Sequence, residues 1–230
     1  MRRNELRQYD QLAEQWWQTD GAFAMLRWVA GARARLVPPT SRPGEVLVDL
    51  GCGGGLLAPY LVGKGYRHVG VDLVASALAQ AARHGVVPVR GDVTRVPLRD
   101  GCAAVVSAGE LLEHVVDLRS TVAEACRLLR PGGLLVLDTL NSTALARLLA
   151  VRIGEHIPGL APPGIHDPRL FVDPDVLVDE CATHGVTLRL RGIRPSASGM
   201  ARWLLTRRGD VAMRPTPSTA VLYQGRGTKQ

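Results

Sequence analysis

Apolar and polar positions change their period along this chain. Over residues 4–18, Leu6, Tyr9, Leu12, Ala13, Trp16 and Trp17 recur at close to helical spacing, and over 22–36 Phe23, Leu26, Val29, Ala30 and Ala34 do the same. Both stretches predict amphipathic helices. The run Pro38-Pro39-Thr40-Ser41-Arg42-Pro43-Gly44 then breaks the helical pattern. From Glu45 onward the helical period gives way to short, almost wholly apolar runs. Residues 46–50, 68–72, 86–90, 103–107 and 134–138 predict strands, and 56–64, 74–84 and 118–129 predict the helices between them. Strands without a polar face are buried on both sides. Strand–helix alternation at this spacing makes a parallel sheet covered on both faces. The predicted class is α/β, a doubly wound, mostly parallel sheet, with an N-terminal helical cap over 1–44 and the main domain over 45–230.

The stretch 142–170 interrupts that rhythm. Residues 143–153 predict a helix with Leu145, Leu148, Leu149 and Ile153 on one side and Arg147 and Arg152 elsewhere. The Pro/Gly-rich loop Ile157-Pro158-Gly159-Leu160-Ala161-Pro162-Pro163-Gly164 follows. This reads as an insertion near the mouth of a ligand site, either a self-packed lid or an apolar element able to touch an anionic membrane surface. A helix over 174–184, a strand over 186–193 and a last strand over 219–224 complete a seven-stranded sheet, and the basic, Pro/Ser-rich 195–218 reads as a long loop.

Composition narrows the function classes. With 46% hydrophobic and 21% charged residues the chain is an ordinary folding sequence, neither disordered nor collagen-like. No apolar run approaches the roughly 18 residues a spanning helix needs. Arg2, Arg3, Glu5, Arg7, Asp10, Glu14 and Asp20 leave no apolar core for a secretory signal. Cys52, Cys102, Cys126 and Cys181 lie far apart with no CxxC pair, which argues against a zinc ribbon or disulfide scaffold and for a cytoplasmic setting. The net charge is +7 and the basic residues are almost all arginine, since only Lys64 and Lys229 are lysines. The arginines are scattered rather than blocked, which weakens a nucleic-acid reading.

The densest chemical signal is Asp49-Leu50-Gly51-Cys52-Gly53-Gly54-Gly55, where the first strand turns toward the first helix. Glycines there let the backbone approach a ligand closely. The next strand ends in Asp72, an acid placed to accept from both hydroxyls of a ribose, so a nucleoside-containing ligand lies across the strand ends. A dinucleotide turn needs a sixth-position glycine, and Leu56 stands there; a phosphate-binding lysine motif is absent. Asp49 repels a pyrophosphate and suits a cationic ligand such as an amino-acid ammonium beside a sulfonium.

The pattern D-x-G-x-G-x-G, the acid at Asp72, and Gly91-Asp92-Val93 after the third strand resemble the class I S-adenosylmethionine-dependent methyltransferases, whose fold is Rossmann-like. Trp16-Trp17, Phe23, Glu110-Leu111-Leu112-Glu113-His114-Val115, Thr139-Leu140-Asn141 and Ile165-His166-Asp167 occur in the order of one branch, the ubiquinone-biosynthesis O-methyltransferases. That branch methylates polyprenyl catechols and demethylubiquinols. The likeness runs from about residue 9 to 180 and departs at Ala104, where the branch usually has Asp, and at Gly109, where it has a larger residue, often Met. The resemblance implies S-adenosyl-L-methionine as methyl donor. It implies Arg33, or else Arg35, on the methionine carboxylate; Asp49, Gly51 and Gly53 around the methionine and ribose; Asp72 and Leu73 at the ribose; Asp92 and Val93 at the adenine; and Gly109 against the donor through its backbone. An arginine suits the first task because its planar fork pairs both carboxylate oxygens.

Methyl transfer to a phenolic oxygen needs in-line alignment and an oxygen exposed as an anion, and a phenol with a pKa of about 10 needs a base or an electrophile at neutral pH. On a helix Glu110, Glu113 and His114 share one face. Three readings of that face stay open. It can hold a divalent cation such as Mg2+, which orients a catechol and which members of the resembled branch require; His114 or Glu113 can act as general base; or the acids can simply favour a helix start. His166 and Asp167 form a second candidate pair, with Asp167 either orienting the imidazole or serving as a helix N-cap ahead of Pro168. Asn141 is a candidate for positioning the acceptor. The predicted function is O-methylation of an aromatic small molecule. The rivals are a natural-product methyltransferase with another acceptor and a non-catalytic adenosylmethionine-binding relative.

Overall fold

The computed structural model describes residues 4–230; Arg2 and Arg3 of the polar leader lie outside them. Five apolar runs form β1 (Val46–Leu50), β2 (Arg67–Asp72), β3 (Val87–Arg90), β4 (Ala103–Gly109) and β5 (Leu129–Leu140). Neighbours β3-β2-β1-β4-β5 pair in parallel, so five carboxyl-terminal strand ends open on one edge. β8 (Leu222–Lys229) inserts antiparallel between β5 and β6 (Val186–Pro195). Leu50, Val71, Val106 and Leu137 are sealed from solvent, as strands covered on both faces must be.

The helices follow from local chemistry. The Ala-rich segment winds as α3 (Ala75–Arg83). Asp117 caps α4 (Leu118–Leu128) by accepting from the Ser120 N–H at 3.0 Å. Asp173, followed by Pro174, caps α6 (Pro174–Thr183). The N-terminal segment folds back over the strand ends: α1 (Leu6–Gln11) and α2 (Ala24–Ala34) flank a cluster in which Trp16, Phe23 and Ala30 pack against Leu56, Val74 and Ala77. The insertion begins as α5 (Ala144–Arg147) and continues as a π-helical turn over Leu148–Ile153.

Five expectations need correction. The helix expected over 4–18 ends at Gln11 and resumes as a 3₁₀ turn over Ala13–Gln15. The one expected over 56–64 is only a 3₁₀ turn, Ala58–Leu61, because Pro59 and the preceding glycines do not support a longer helix. The loop expected over 195–218 contains α7 (Ala197–Thr206) and β7 (Met213–Thr216). β7 pairs antiparallel with β6 and makes the sheet eight-stranded, not seven. Trp203 anchors α7 by packing edge-on against Trp28 at 5.1 Å between ring centroids. Finally, the last strand starts later than expected, at Leu222.

Candidate active site

A cavity of ≈ 930 Å³ opens at the carboxyl-terminal edge of the sheet, the usual ligand position in open α/β sheets. Its polar end lies over β1, β2 and β4; its apolar end runs beneath the insertion to α7 and β7, past Leu149, Ile153, Met200 and Met213.

At the polar end the β1 turn places Gly51 and Gly53 at φ 63° and 51°, a conformation that side chains with a Cβ resist. A Cβ on Gly53 would also lie 2.4 Å from the Trp16 ring. Asp72, at the end of β2, accepts one backbone N–H on each carboxylate oxygen, from Gly53 and Val74, both at 2.9 Å. Each oxygen keeps lone-pair capacity for a further donor. Burial pushes its carboxyl above the ordinary range. Leu73 is exposed on the rim, and Val93 is buried. Asp92 is exposed and spends one oxygen on the Thr94 N–H and hydroxyl, both at 2.8 Å, so it shapes a turn as well as lining the cavity. Asp49 is buried 3.4 Å from the His68 ring. Burial alone would raise its carboxyl, but the nearby His68 ring and Arg33 guanidinium bring it below the ordinary value. His68 is therefore an electrostatic neighbour of the site.

Arg33 is buried and donates to Asp138 at 2.6 Å, at the end of β5. Its guanidinium lies over Gly109: a Cβ there would sit 1.6 Å from Nη1. The missing side chain at 109 is what gives the arginine this position. Arg35, the alternative, points away and donates to the Met213 carbonyl. Asp138 was not singled out in the sequence, although an acid closing an apolar central strand was the available signal.

Beyond β4 the chain does not enter a helix at Glu110, contrary to the shared-face expectation. Glu110 has φ 49°, and only Leu112–His114 forms a 3₁₀ turn. Glu113 is sealed from solvent and accepts from the Thr139 hydroxyl at 2.8 Å. The Oε1 atoms of Glu110 and Glu113 are buried without a hydrogen-bond partner. Burial and mutual repulsion raise Glu110 well above its ordinary value; burial, with the Asp138 charge adding, pushes Glu113 up to about 7. No three His, Cys, Asp or Glu side chains among the described residues are gathered as a metal-holding group.

His114 is clamped by Asn4, whose Nδ2 donates to the His114 carbonyl while its Oδ1 faces Nδ1, both at 2.8 Å. Burial, with the His166 charge adding, lowers its imidazole to about 3. His166 stacks on it, with centroids 5.5 Å apart. The orienting carboxylate expected of Asp167 comes instead from Glu155, 3.2 Å from His166 Nδ1. Asp167 accepts from the Arg169 side chain and backbone, and the cap of the next helix is Asp173. Asn141 ties β5 to the chain before β8, donating to the Thr219 carbonyl at 2.9 Å, and does not line the cavity. Tyr9, Trp16 and Phe23 stack as an aromatic wall on the cavity, Trp16 and Phe23 with centroids 4.0 Å apart.

Residues 48–137 match the family described as Methyltransferase domain. Among curated proteins, the ubiquinone biosynthesis O-methyltransferase of Thiobacillus denitrificans is 38% identical over 179 residues, covering 74% of this chain and 77% of that protein. Its namesake in Nitrosococcus oceani is 33% identical over 194 residues, covering 81% and 82%. Among solved structures, an S-adenosylmethionine-dependent methyltransferase of Thermotoga maritima, described as a possible histamine N-methyltransferase, superposes with a TM-score of 0.69 over 96% of this chain and 98% of that one, at 16% identity. That likeness carries the fold alone.

Proposed function

We propose, for a chain that belongs to the ubiquinone biosynthesis O-methyltransferases and so transfers a methyl group from S-adenosylmethionine to oxygen, that the acceptor is an aromatic diol with an apolar tail, a catechol or demethylated quinol of the polyprenyl type. The observation that carries this reading is the single cavity joining a polar, acid-lined end to an apolar end under the insertion. An acceptor ring between them would set its hydroxyls toward Glu110, His114 and His166 and its tail toward Leu149, Ile153 and Met200.

The donor end fits S-adenosylmethionine. Asp72 keeps acceptor capacity for two ribose hydroxyls, and Gly51 and Gly53 bring backbone close to the ligand. The adenine would lie by Asp92 and Val93, and the backbone of Gly109 would face the donor. In this reading Arg33 releases Asp138 to pair with the methionine carboxylate, and Asp49 faces the cationic end. The role of these groups is to hold donor and acceptor in line, and alignment of this kind supplies on the order of 7–11 kcal/mol in favourable cases.

The orphaned oxygens of Glu110 and Glu113 suit a divalent cation, which together with His114 they would hold; the ungathered side chains require adjustment before three of them ligate at once. Such a cation would orient both oxygens of a diol and make them more acidic. His114, neutral down to about 3, is a weak base; His166 is better placed to accept the hydroxyl proton at a ring nitrogen.

The acceptor class also bears on where the protein works. No helix among the described residues is long and apolar enough to cross a membrane. Leu145, Leu148, Leu149 and Ile153 on the insertion and Leu204 and Leu205 on α7 are exposed, with Arg147, Arg152, Arg202 and Arg208 exposed among them. These residues support peripheral contact with an anionic bilayer. Sedimentation with anionic against neutral vesicles tests it, and equal recovery in both supernatants would remove the idea.

The function itself is tested with purified protein, S-adenosylmethionine and a set of catechols with and without prenyl tails, alongside amines and simple phenols. O-methylated tailed catechol is the expected product, with a lower KM than for the tail-less catechol. Turnover confined to amines, or no preference for the tail, would sink the reading.

A further inference from the structure

The insertion carries a buried carboxylate that sequence reading passed over. Glu155 sits in a 3₁₀ turn, Gly154–His156, at 4% exposure. Its Oε2 accepts the Gly164 N–H at 2.8 Å, and its Oε1 accepts the His166 N–H at 3.1 Å while facing His166 Nδ1 at 3.2 Å. Oε1 acts as an acceptor toward the backbone, so it faces the ring as an acceptor too, and Nδ1 carries the ring proton. Glu155 does not line the cavity, whereas His166 does. His166 is thus held between a carboxylate behind it and the stacked ring of His114 beside it, with Phe171 edge-on at 6.1 Å.

We infer that Glu155 is a positioning residue for methyl transfer: it fixes His166 as the Nδ1–H tautomer, so that Nε2 is the ring's hydrogen-bond acceptor and receives the acceptor hydroxyl. The inference rests on the acceptor reading above for what Nε2 meets, and on geometry alone for the tautomer. A neighbouring detail shows the same construction. Asn4 Oδ1 faces His114 Nδ1 as Glu155 faces His166, so the two stacked imidazoles both turn their Nδ1 atoms to side-chain acceptors. The bracing of Gly164 and His166 by the same carboxylate makes ring orientation depend on closure of the insertion's second half.

The test uses full-length protein labelled with 15N-histidine. The chain has six histidines, and the His166 signals are identified by their loss in His166→Gln. Two-bond 15N–1H spectra of the free enzyme are expected to show Nδ1–H for His166. Glu155→Ala removes the acceptor facing Nδ1, and the spectrum is expected to shift toward Nε2–H. It also leaves the Gly164 and His166 N–H groups without this partner, so Tm falls, while affinity for S-adenosylhomocysteine, measured well below that Tm, should stay near wild type and kcat for a catechol should fall about tenfold or more, with KM less affected. Glu155→Asp, which keeps a carboxylate, is expected to restore the tautomer and part of kcat. Combining Glu155→Ala with His166→Gln should lower kcat no further than His166→Gln alone. An unchanged Nδ1–H tautomer in Glu155→Ala overturns the inference, as does a kcat loss accompanied by an equal loss of donor binding. The tautomer is read without substrate, so wild type that shows Nδ1–H but methylates no catechol refutes the acceptor reading instead.

Discussion

Gly109→Ala is the sharpest perturbation of the site. The new Cβ would overlap the Arg33 guanidinium, 1.6 Å from Nη1 and 1.8 Å from Cζ. An arginine tip can move, so the strand survives and the arginine is displaced into the cavity. That breaks the 2.6 Å pair with Asp138, whose carboxylate is sealed from solvent and keeps weaker help from Gln224 at 3.4 Å and from the Glu110 backbone N–H. Breaking one side of a buried pair costs about 3–5 kcal/mol. The displaced arginine regains some hydration, so about 3 kcal/mol is expected. For a chain of this size that lowers Tm by about 6–12 °C. The loss also has a pH signature. Burial already raises Asp138 despite Arg33, and losing the partner raises it further. A carboxyl raised in the folded state costs stability above its folded value and recovers it as pH falls and the proton binds. The deficit of Gly109→Ala should therefore be largest at mildly alkaline pH and shrink toward acid. Adding Asp138→Asn should remove most of it, since no buried charge is then left unpaired. The assay is urea unfolding of the four proteins at several pH values. Wild-type stability for Gly109→Ala near pH 8, or a deficit that Asp138→Asn does not relieve, would refute the reasoning.

Three further outcomes follow from the same site. Asp72→Ala removes the acceptor at the end of β2 and should weaken S-adenosylhomocysteine binding by about tenfold or more by calorimetry, because hydrogen bonds to charged groups are worth about 1.5–3 kcal/mol; unchanged affinity would displace the ribose from that strand end. Glu113→Gln, measured with chelator present, should be more stable than wild type near pH 8, and the gap should close as pH falls from about 7 to 4.5, because Glu113 is raised between those values; that interval corresponds to an upper limit of about 3 kcal/mol, and the opposite slope would contradict its burial as an acid. His114, lowered to about 3, should show no NMR titration across neutral pH, and a midpoint near 6.5 would mean that its ring is solvated.

The α/β class was legible in the chain because two-sided burial demands apolar strands and because glycine turns and strand-end acids recur at fixed offsets. That legibility extends to the placement of Gly51, Gly53 and Asp72, which depends on local backbone. The edge strand β7 and α7 were not legible. Their segment is basic and rich in Pro and Ser, and it is held by contacts made far away in sequence, Trp203 on Trp28 and β7 on β6. The helix expected through Glu110, Glu113 and His114 failed for a similar reason. Periodicity cannot register that Glu110 takes a left-handed backbone at the exit of a buried strand.

What the amino-acid order determined by itself was a strand, a glycine turn and an acid one strand later, all short-range features. Only the tertiary structure decided which charges meet. Arg33 reaches Asp138 across 105 positions, and Asn4 reaches His114 across 110. Glu155, not the adjacent Asp167, turns to His166, because buried polar groups take the partner that packing brings within hydrogen-bond distance, whatever its separation along the chain.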